Sequence, residues 1–171
     1  MAFVIREVTI ADVHAVATVH VLSWQSAYRN IIPDDYLNKL DIDKQAERFK
    51  NGIEKYKNIT FFYVAENDGQ IIGNMAVSKC RDDDKPFSGE VIAIYLLPEY
   101  WNMGYGKILM DFGVKTLIEL GYSEICVWVL EDNLRARKFY EKYGFSLDGT
   151  SKEINLGKSL VEVRYTLTSS T

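Results

Sequence analysis

The sequence predicts an α/β fold, and three observations carry that prediction. Val91 to Leu97 is an unbroken apolar run rich in Ile, Val and Tyr, the pattern of a strand buried on both faces. Pro98 ends it, having no amide proton to offer a sheet. Ile108, Leu109, Phe112, Leu117 and Leu120 then recur at helical spacing, and Gly121 closes that helix. Ser123 to Leu130 is a second strand apolar on both faces. Strand, crossover helix and strand of this kind form a βαβ unit whose strands are parallel and buried.

The other elements follow in chain order. Phe3 to Thr9 alternates and reads as a first strand. Asp12 suits the first turn of a helix whose Val13, Val16, Ala17, His20, Val21 and Trp24 form an apolar stripe. Trp24 and Tyr28 lie four apart on one face of it, either as core or as the wall of a substrate pocket. His14 and His20 are six apart, off the spacing of a same-face ligand pair, and read as packing or surface residues. Pro33 opens a helix through Leu37 and Leu40, and Asp43 to Phe49 is a third helical piece. Thr60 to Ala65 and Ile71 to Lys79 form a hairpin about Asn67-Asp68-Gly69.

Arg81-Asp82-Asp83-Asp84-Lys85-Pro86 lacks the alternating ligands and glycine of a calcium loop, so it reads as a solvated hairpin tip without metal. Beyond the second buried strand, Asp132-Asn133 caps a helix bearing Leu134, Ala136, Phe139, Tyr140 and Tyr143, with Gly144 at its C-cap. Phe145 to Asp148 and Leu160 to Leu167 are final strands around the turn Asn155 to Lys158. The chain reads as one domain, residues 1–171, with 168–171 expected to fray.

Composition narrows the functions. At 171 residues, 47% hydrophobic and 26% charged, the chain fits one ordinary globular domain. No apolar run approaches the roughly 20 residues of a membrane span. Arg6 and Glu7 interrupt the place where a signal peptide needs apolar residues, so a cytoplasmic protein is expected. The net charge of −4 argues against nucleic acid, whose partners favour a basic face. Cys80 and Cys126 lack metal-ligand spacing and read as reduced thiols.

The turn Met103-Gly104-Tyr105-Gly106 joins the first buried strand to its helix. Glycines let backbone approach a ligand closely, and the first amides of a helix face outward with the positive end of the macrodipole. Such a turn either binds phosphate or serves close packing. A nucleotide site is disfavoured, because neither the Gly-Lys-Ser/Thr of a P-loop nor the third glycine of a dinucleotide fingerprint is present.

With its element order, the chain resembles the GCN5-related N-acetyltransferase (GNAT) superfamily over essentially its whole length. Three matches carry the resemblance. They are Leu97-Pro98-Glu99-Tyr100 followed by Trp101-Asn102-Met103-Gly104-Tyr105-Gly106, then Glu131-Asp132-Asn133-Leu134-Arg135-Ala136, then Phe139-Tyr140-Glu141-Lys142-Tyr143-Gly144-Phe145. Trp101 stands where the family has Gln or Arg, and Met103 where a basic residue often precedes the first glycine. The resemblance implies a mixed, mostly antiparallel sheet of six or seven strands, with a V-shaped splay between the two central parallel strands and helices on both faces.

It also implies acetyl transfer from acetyl-coenzyme A to a primary amine of a small molecule or peptide, by direct attack in a ternary complex, without metal. The alternative is a coenzyme A-binding regulatory module that has lost catalysis. The pyrophosphate would lie on Asn102, Met103, Gly104, Tyr105, Gly106 and Lys107, with Lys107 compensating for the missing side-chain charges. The pantetheine arm would pair with main chain near Tyr95, Leu96 and Leu97, where a free amide could stabilise an oxyanion. Asn133 would touch the cofactor while capping its helix. Tyr140 is the candidate general acid, or else a core aromatic. Glu90 is the candidate base, or else a charged residue at a strand mouth; counting by twos puts it on the face of Ile92, Ile94 and Leu96. Family members are often dimers, so the resemblance admits a homodimer, but no interface is legible in the sequence.

Overall fold

The computed structural model describes residues 2–169. Seven strands form one sheet in the order β1-β2-β3-β4-β5-β7-β6. One wing holds β1 (Phe3–Glu7), β2 (Thr60–Asn67), β3 (Gln70–Lys79) and β4 (Gly89–Leu96), each antiparallel to the next. The other holds β5 (Glu124–Leu130), β7 (Ser159–Thr168) and β6 (Ser146–Asn155), also antiparallel. The wings meet at β4 and β5, which run parallel as the βαβ pattern requires. That pairing holds only at Gly89 with Ile125 and at Glu90 with Cys126. Beyond it the strands part, and a V-shaped splay opens between Val91–Leu96 and Val127–Leu130.

Five helices cover the sheet: α1 (Val13–Ala27), α2 (Asp34–Asn38), α3 (Ile42–Lys55), α4 (Tyr105–Glu119) and α5 (Leu134–Tyr143). Strand side chains alternate between faces, and the contacts sort the helices accordingly. Phe112 of α4 meets Tyr63 of β2, while Phe49 of α3 meets the adjacent Phe62 from the other side. His20 of α1 meets Tyr95 of β4 on that second face. α5 lies beside α4, where the Tyr143 hydroxyl donates to Asp111 Oδ1 at 2.7 Å. At Gly113, α4 approaches β3 so closely that a Cβ would come 2.5 Å from Met75 Sδ. The buried core between them includes Met75, Val77, Val91, Leu109, Leu117 and Val127.

Three expectations change. Counting by twos fails for Glu90, because the β3–β4 register slips between Ala76 and Val77: Ala76 opposes Ala93, and Val77 opposes Val91. This bulge inserts Ile92 as an extra residue and reverses the alternation. Glu90 therefore shares a face with Ala93 and Tyr95, not with Ile94 and Leu96. The acidic loop is solvated at Arg81, Asp83, Asp84 and Pro86, but it is also tied to the sheet. Asp82 and Asp84 both accept from Arg164, whose side chain is 2% exposed on β7, and Asp148 accepts from it on the other side. Finally, Thr168 still pairs with Glu124, and the Ser169 amide donates to Ser123 O at 2.8 Å, so these two expected tail residues are ordered in the sheet. Residues 170 and 171, also in that expected tail, lie outside the described residues.

Candidate active site

The splay opens into a cavity of about 250 Å³. Its walls are the edge of β4 from Val91 to Tyr95, Val127 to Leu130 of β5, Asn133 and Tyr140 from α5, Trp24 and Tyr28 from the end of α1, and Ile154, Leu156 and Glu162 from β6 and β7. The two segments flanking the mouth, residues 24–36 and the β6–β7 turn, pack on each other. Ile32, Leu37, Leu130 and Leu160 form a second buried cluster there, joined by Trp24, Tyr28, Tyr36 and Leu156. A Cβ at Gly157 would stand 3.2 Å from that of Tyr36.

Tyr140 sits at the bottom of the splay, 7% exposed, with its ring against Phe139, Phe145 and Tyr165. Among the described residues no protein group bonds its hydroxyl. Burial pushes this phenol well above its ordinary range, and the Tyr95 hydroxyl adds to the effect. The proton is therefore held at any physiological pH, as a donor to a leaving group requires. Asn133 caps α5, its Oδ1 accepting from Ala136 N at 3.3 Å, and also faces the cavity.

The aromatic wall is continuous. Trp24 meets Tyr28 edge-on at 4.9 Å and stacks on His20 at 4.9 Å, while His20 meets Tyr95. Burial, with Arg48 nearby, holds the His20 pKa down at about 4, so its imidazole is neutral near pH 7. Burial likewise raises the Tyr28 and Tyr95 phenols. The wall thus presents neutral, amphipathic rings to whatever enters.

The glycine turn has the backbone conformation that a phosphate cradle needs. Gly104 is the N-cap of α4 at φ 90°, and Asn102 is also left-handed at φ 59°. A Cβ at Gly104 would meet nothing within 4 Å; it would project into the open space before the helix N-terminus. The first-turn amides of α4 have no intrahelical acceptors. Gly106 ties the turn to the splay, since a Cβ there would lie 3.4 Å from Phe139 and 3.7 Å from Leu96. Tyr105 packs its ring on Phe3 and Tyr100, so what it offers the turn is backbone. Met103 is 61% exposed and uncharged.

Some expected residues are otherwise engaged. Lys107 Nζ bonds Asp111 Oδ2 at 2.7 Å, one turn further along α4 and away from the cradle. The Leu97 amide already donates to Ile72 O at 2.8 Å, so it is not a free oxyanion donor. The Leu96 carbonyl points the other way, into the splay, where it accepts from Trp101 Nε1 at 2.9 Å. Amide and carbonyl of one extended residue share a side, so the Leu96 N–H also faces the splay. Glu90 is 1% exposed and lies outside the cavity lining. Arg81 clasps both its oxygens, with Nη2 on Oε1 at 2.7 Å and Nε and N on Oε2 at 3.1 Å. Its carboxylate is therefore neither free nor placed to take a proton in the splay.

Several cavity residues escape sequence reasoning, among them the cations Arg81, Arg135 and Lys152 and the carboxylate Glu162. Arg135 lies inside a motif quoted for other reasons, and its guanidinium stands 3.6 Å over the Trp101 ring. Glu162, on β7, is the one carboxylate among the described residues lining the cavity. Nothing local marks it, because only the sheet order brings β7 beside β5.

The splayed parallel pair, the glycine turn at the α4 N-terminus and the buried Tyr140 are therefore neighbours in one region of the fold. A sequence model of the acetyltransferase (GNAT) family matches residues 23–145. The chain belongs to the GNAT acetyltransferase family and is an acetyltransferase enzyme. It is 32% identical, over 90% of its length and 91% of the relative's, to the uncharacterized N-acetyltransferase YuaI of Bacillus subtilis. It is 26% identical to the spermidine N(1)-acetyltransferase of Thermoplasma acidophilum, over 88% of this chain and 92% of that one. The crystal structure of PaiA N-acetyltransferase from Thermoplasma acidophilum in complex with coenzyme A shares the fold, with a TM-score of 0.79, 24% identity, and 98% and 99% of the two chains covered. Among the described residues no helix is long and apolar enough to cross a membrane.

Proposed function

We propose that this enzyme moves an acetyl group from acetyl-coenzyme A to a primary amine by direct attack within a ternary complex. The observation that carries the reading is the packing of the glycine turn against the splay: Gly106 lies close to both Phe139 of α5 and Leu96 of β4, so the α4 N-terminus stands beside the splay that holds Tyr140. The residues fit the cosubstrate, because the space before Gly104 is what a Cβ would fill and the amides around it suit a pyrophosphate. Bound acetyl-coenzyme A supplies an activated acetyl thioester.

The chain's residues do the rest. The first-turn amides of α4 hold the pyrophosphate, and Arg135, braced on Trp101, brings the cation that positions 101 and 103 lack. The Leu96 amide faces the acyl oxygen; one such donor is worth about 3 kcal/mol in other enzymes. Tyr140 gives its proton to the departing sulfur. Glu162, which pairs with Lys152 Nζ at 3.7 Å, exchanges that partner for the acceptor's ammonium, and deprotonation runs through water, since Glu90 is bound by Arg81. Trp24 and Tyr28 flank the acceptor's carbon chain.

The test is thiol release from acetyl-coenzyme A across an amine panel, with the acetylated product identified. A polyamine is the first acceptor to try, given the activity named for the Thermoplasma relative. Coenzyme A binding without turnover on any amine would instead favour a regulatory module.

A second measurement checks the cradle. Gly104→Val puts a β-branched side chain at φ 90°, a strained conformation, and fills the space before the α4 amides. Coenzyme A affinity by calorimetry should fall at least tenfold, the equivalent of about 1.4 kcal/mol. Unchanged affinity would place the pyrophosphate elsewhere.

A further inference from the structure

The two cysteines take no part in the chemistry above, yet the fold brings them together. Cys80 follows β3 and Cys126 lies in β5, strands separated in the sheet by β4. Their sulfurs are 2.9 Å apart although 46 positions separate them in sequence. Cys126 is 0% exposed, whereas Cys80 lines a second cavity of about 470 Å³, bounded by Arg48 and Phe49 of α3 and by Phe62 of β2. A small polar oxidant can reach Cys80 from that side, and only Cys80.

The neighbours argue for sulfur–sulfur chemistry over metal binding. Glu90 lies close enough to complete a ligand cluster with the two thiols. Its oxygens, however, are both bonded to Arg81. Access decides which sulfur meets the oxidant: Cys80 borders the second cavity, whereas Cys126 is fully enclosed.

We propose that Cys80 and Cys126 form a reversible dithiol–disulfide site, oxidised by a hydroperoxide that enters beside α3. The Cys80 thiolate attacks a peroxide oxygen, the O–O bond breaks, and Cys80 becomes a sulfenic acid as hydroxide leaves. The Cys126 thiol then attacks the Cys80 sulfur, expelling the sulfenic oxygen as water, while the hydroxide takes up the proton that Cys80 had lost. Two thiols and one hydrogen peroxide yield one disulfide and two waters. The new bond would staple β3 to β5 at the apex of the splay, where β4 and β5 share only two pairs. Arg81, next to Cys80, lines both cavities, so the staple lies beside the proposed acceptor site.

The experiment treats the folded, reduced protein with hydrogen peroxide, quenches it, denatures it, alkylates it with N-ethylmaleimide and reads the intact mass. The expected result is a monomer lighter by two hydrogens that carries no adduct, returning to two adducts after dithiothreitol. In Cys126→Ser, dimedone should trap a sulfenic acid at Cys80; in Cys80→Ser, Cys126 should stay unlabelled. Two adducts after peroxide, dimers that dithiothreitol dissolves, or dimedone on Cys126 would each overturn the proposal. These readouts are independent of acetyl transfer.

Discussion

Tyr140→Phe is expected to lower kcat by at least a hundredfold, the lower range for loss of a positioned general acid, while leaving the dissociation constant of coenzyme A nearly unchanged. The ring remains, so the packing against Phe139, Phe145 and Tyr165 survives. Only the hydroxyl goes, and it bonds no protein group among the described residues, so no buried partner is orphaned and stability should hardly move. The thiolate must then leave without its proton donor. Steady-state kinetics beside calorimetric binding separates the two effects. Because burial holds the phenol above its ordinary range, the wild type should show no loss of kcat through the alkaline side up to pH 9 that belongs to this group. Equal kcat in the variant would make Tyr140 a core residue and nothing more.

Much of this site was legible in the chain because its parts are local. The apolar runs of β4 and β5, the turn at Gly104 and the stripe along α4 are each written in a few consecutive residues. Asn133 and Tyr140 follow from cap and helix patterns in the same way. Illegible features depend on contacts across the sheet. Nothing in the run Val91 to Leu97 marks the bulge at Ile92, so counting by twos puts Glu90 on the wrong face. The closeness of Cys80 and Cys126 needs β4 between them. Arg164 alternates along β7 like any exposed strand residue, and its partners Asp82 and Asp84 lie some 80 positions away. Lys107 was read as a phosphate ligand by position alone, whereas Asp111, one turn on, competes for it.

Arg164 carries the largest expected effect on stability. Its Nε bonds Asp148 at 2.6 Å, Nη1 bonds Asp82 at 2.9 Å and Asp84 at 2.8 Å, and Nη2 bonds Asp84 at 2.6 Å and Thr150 at 3.1 Å. One buried guanidinium thus joins the β3–β4 loop to β6 and β7, across both wings of the sheet. Arg164→Met keeps much of the side-chain volume but leaves Asp82 and Asp148 largely enclosed without their cation. Removing one partner of a buried ion pair costs about 3–5 kcal/mol, which for a domain of this size lowers Tm by roughly 10 °C.

The pH dependence supplies a second readout. Burial raises the Asp82 and Asp148 carboxyls, but hydrogen bonds from Arg164, with Trp128 at the first and the Thr150 amide at the second, outweigh it; Asp84 is lowered chiefly by Arg164. All three fall below the usual 3.8, so below that pH the unfolded chain binds more protons than the native one. Their stabilisation is present above pH 3.8 and is lost as pH falls through the lower folded values. Urea titrations should therefore show wild-type stability dropping on acidification below about pH 4, and Arg164→Met starting lower but dropping less. A variant with wild-type stability at pH 7 and an unchanged acid limb would mean that the cluster spends in desolvation all that its charges contribute.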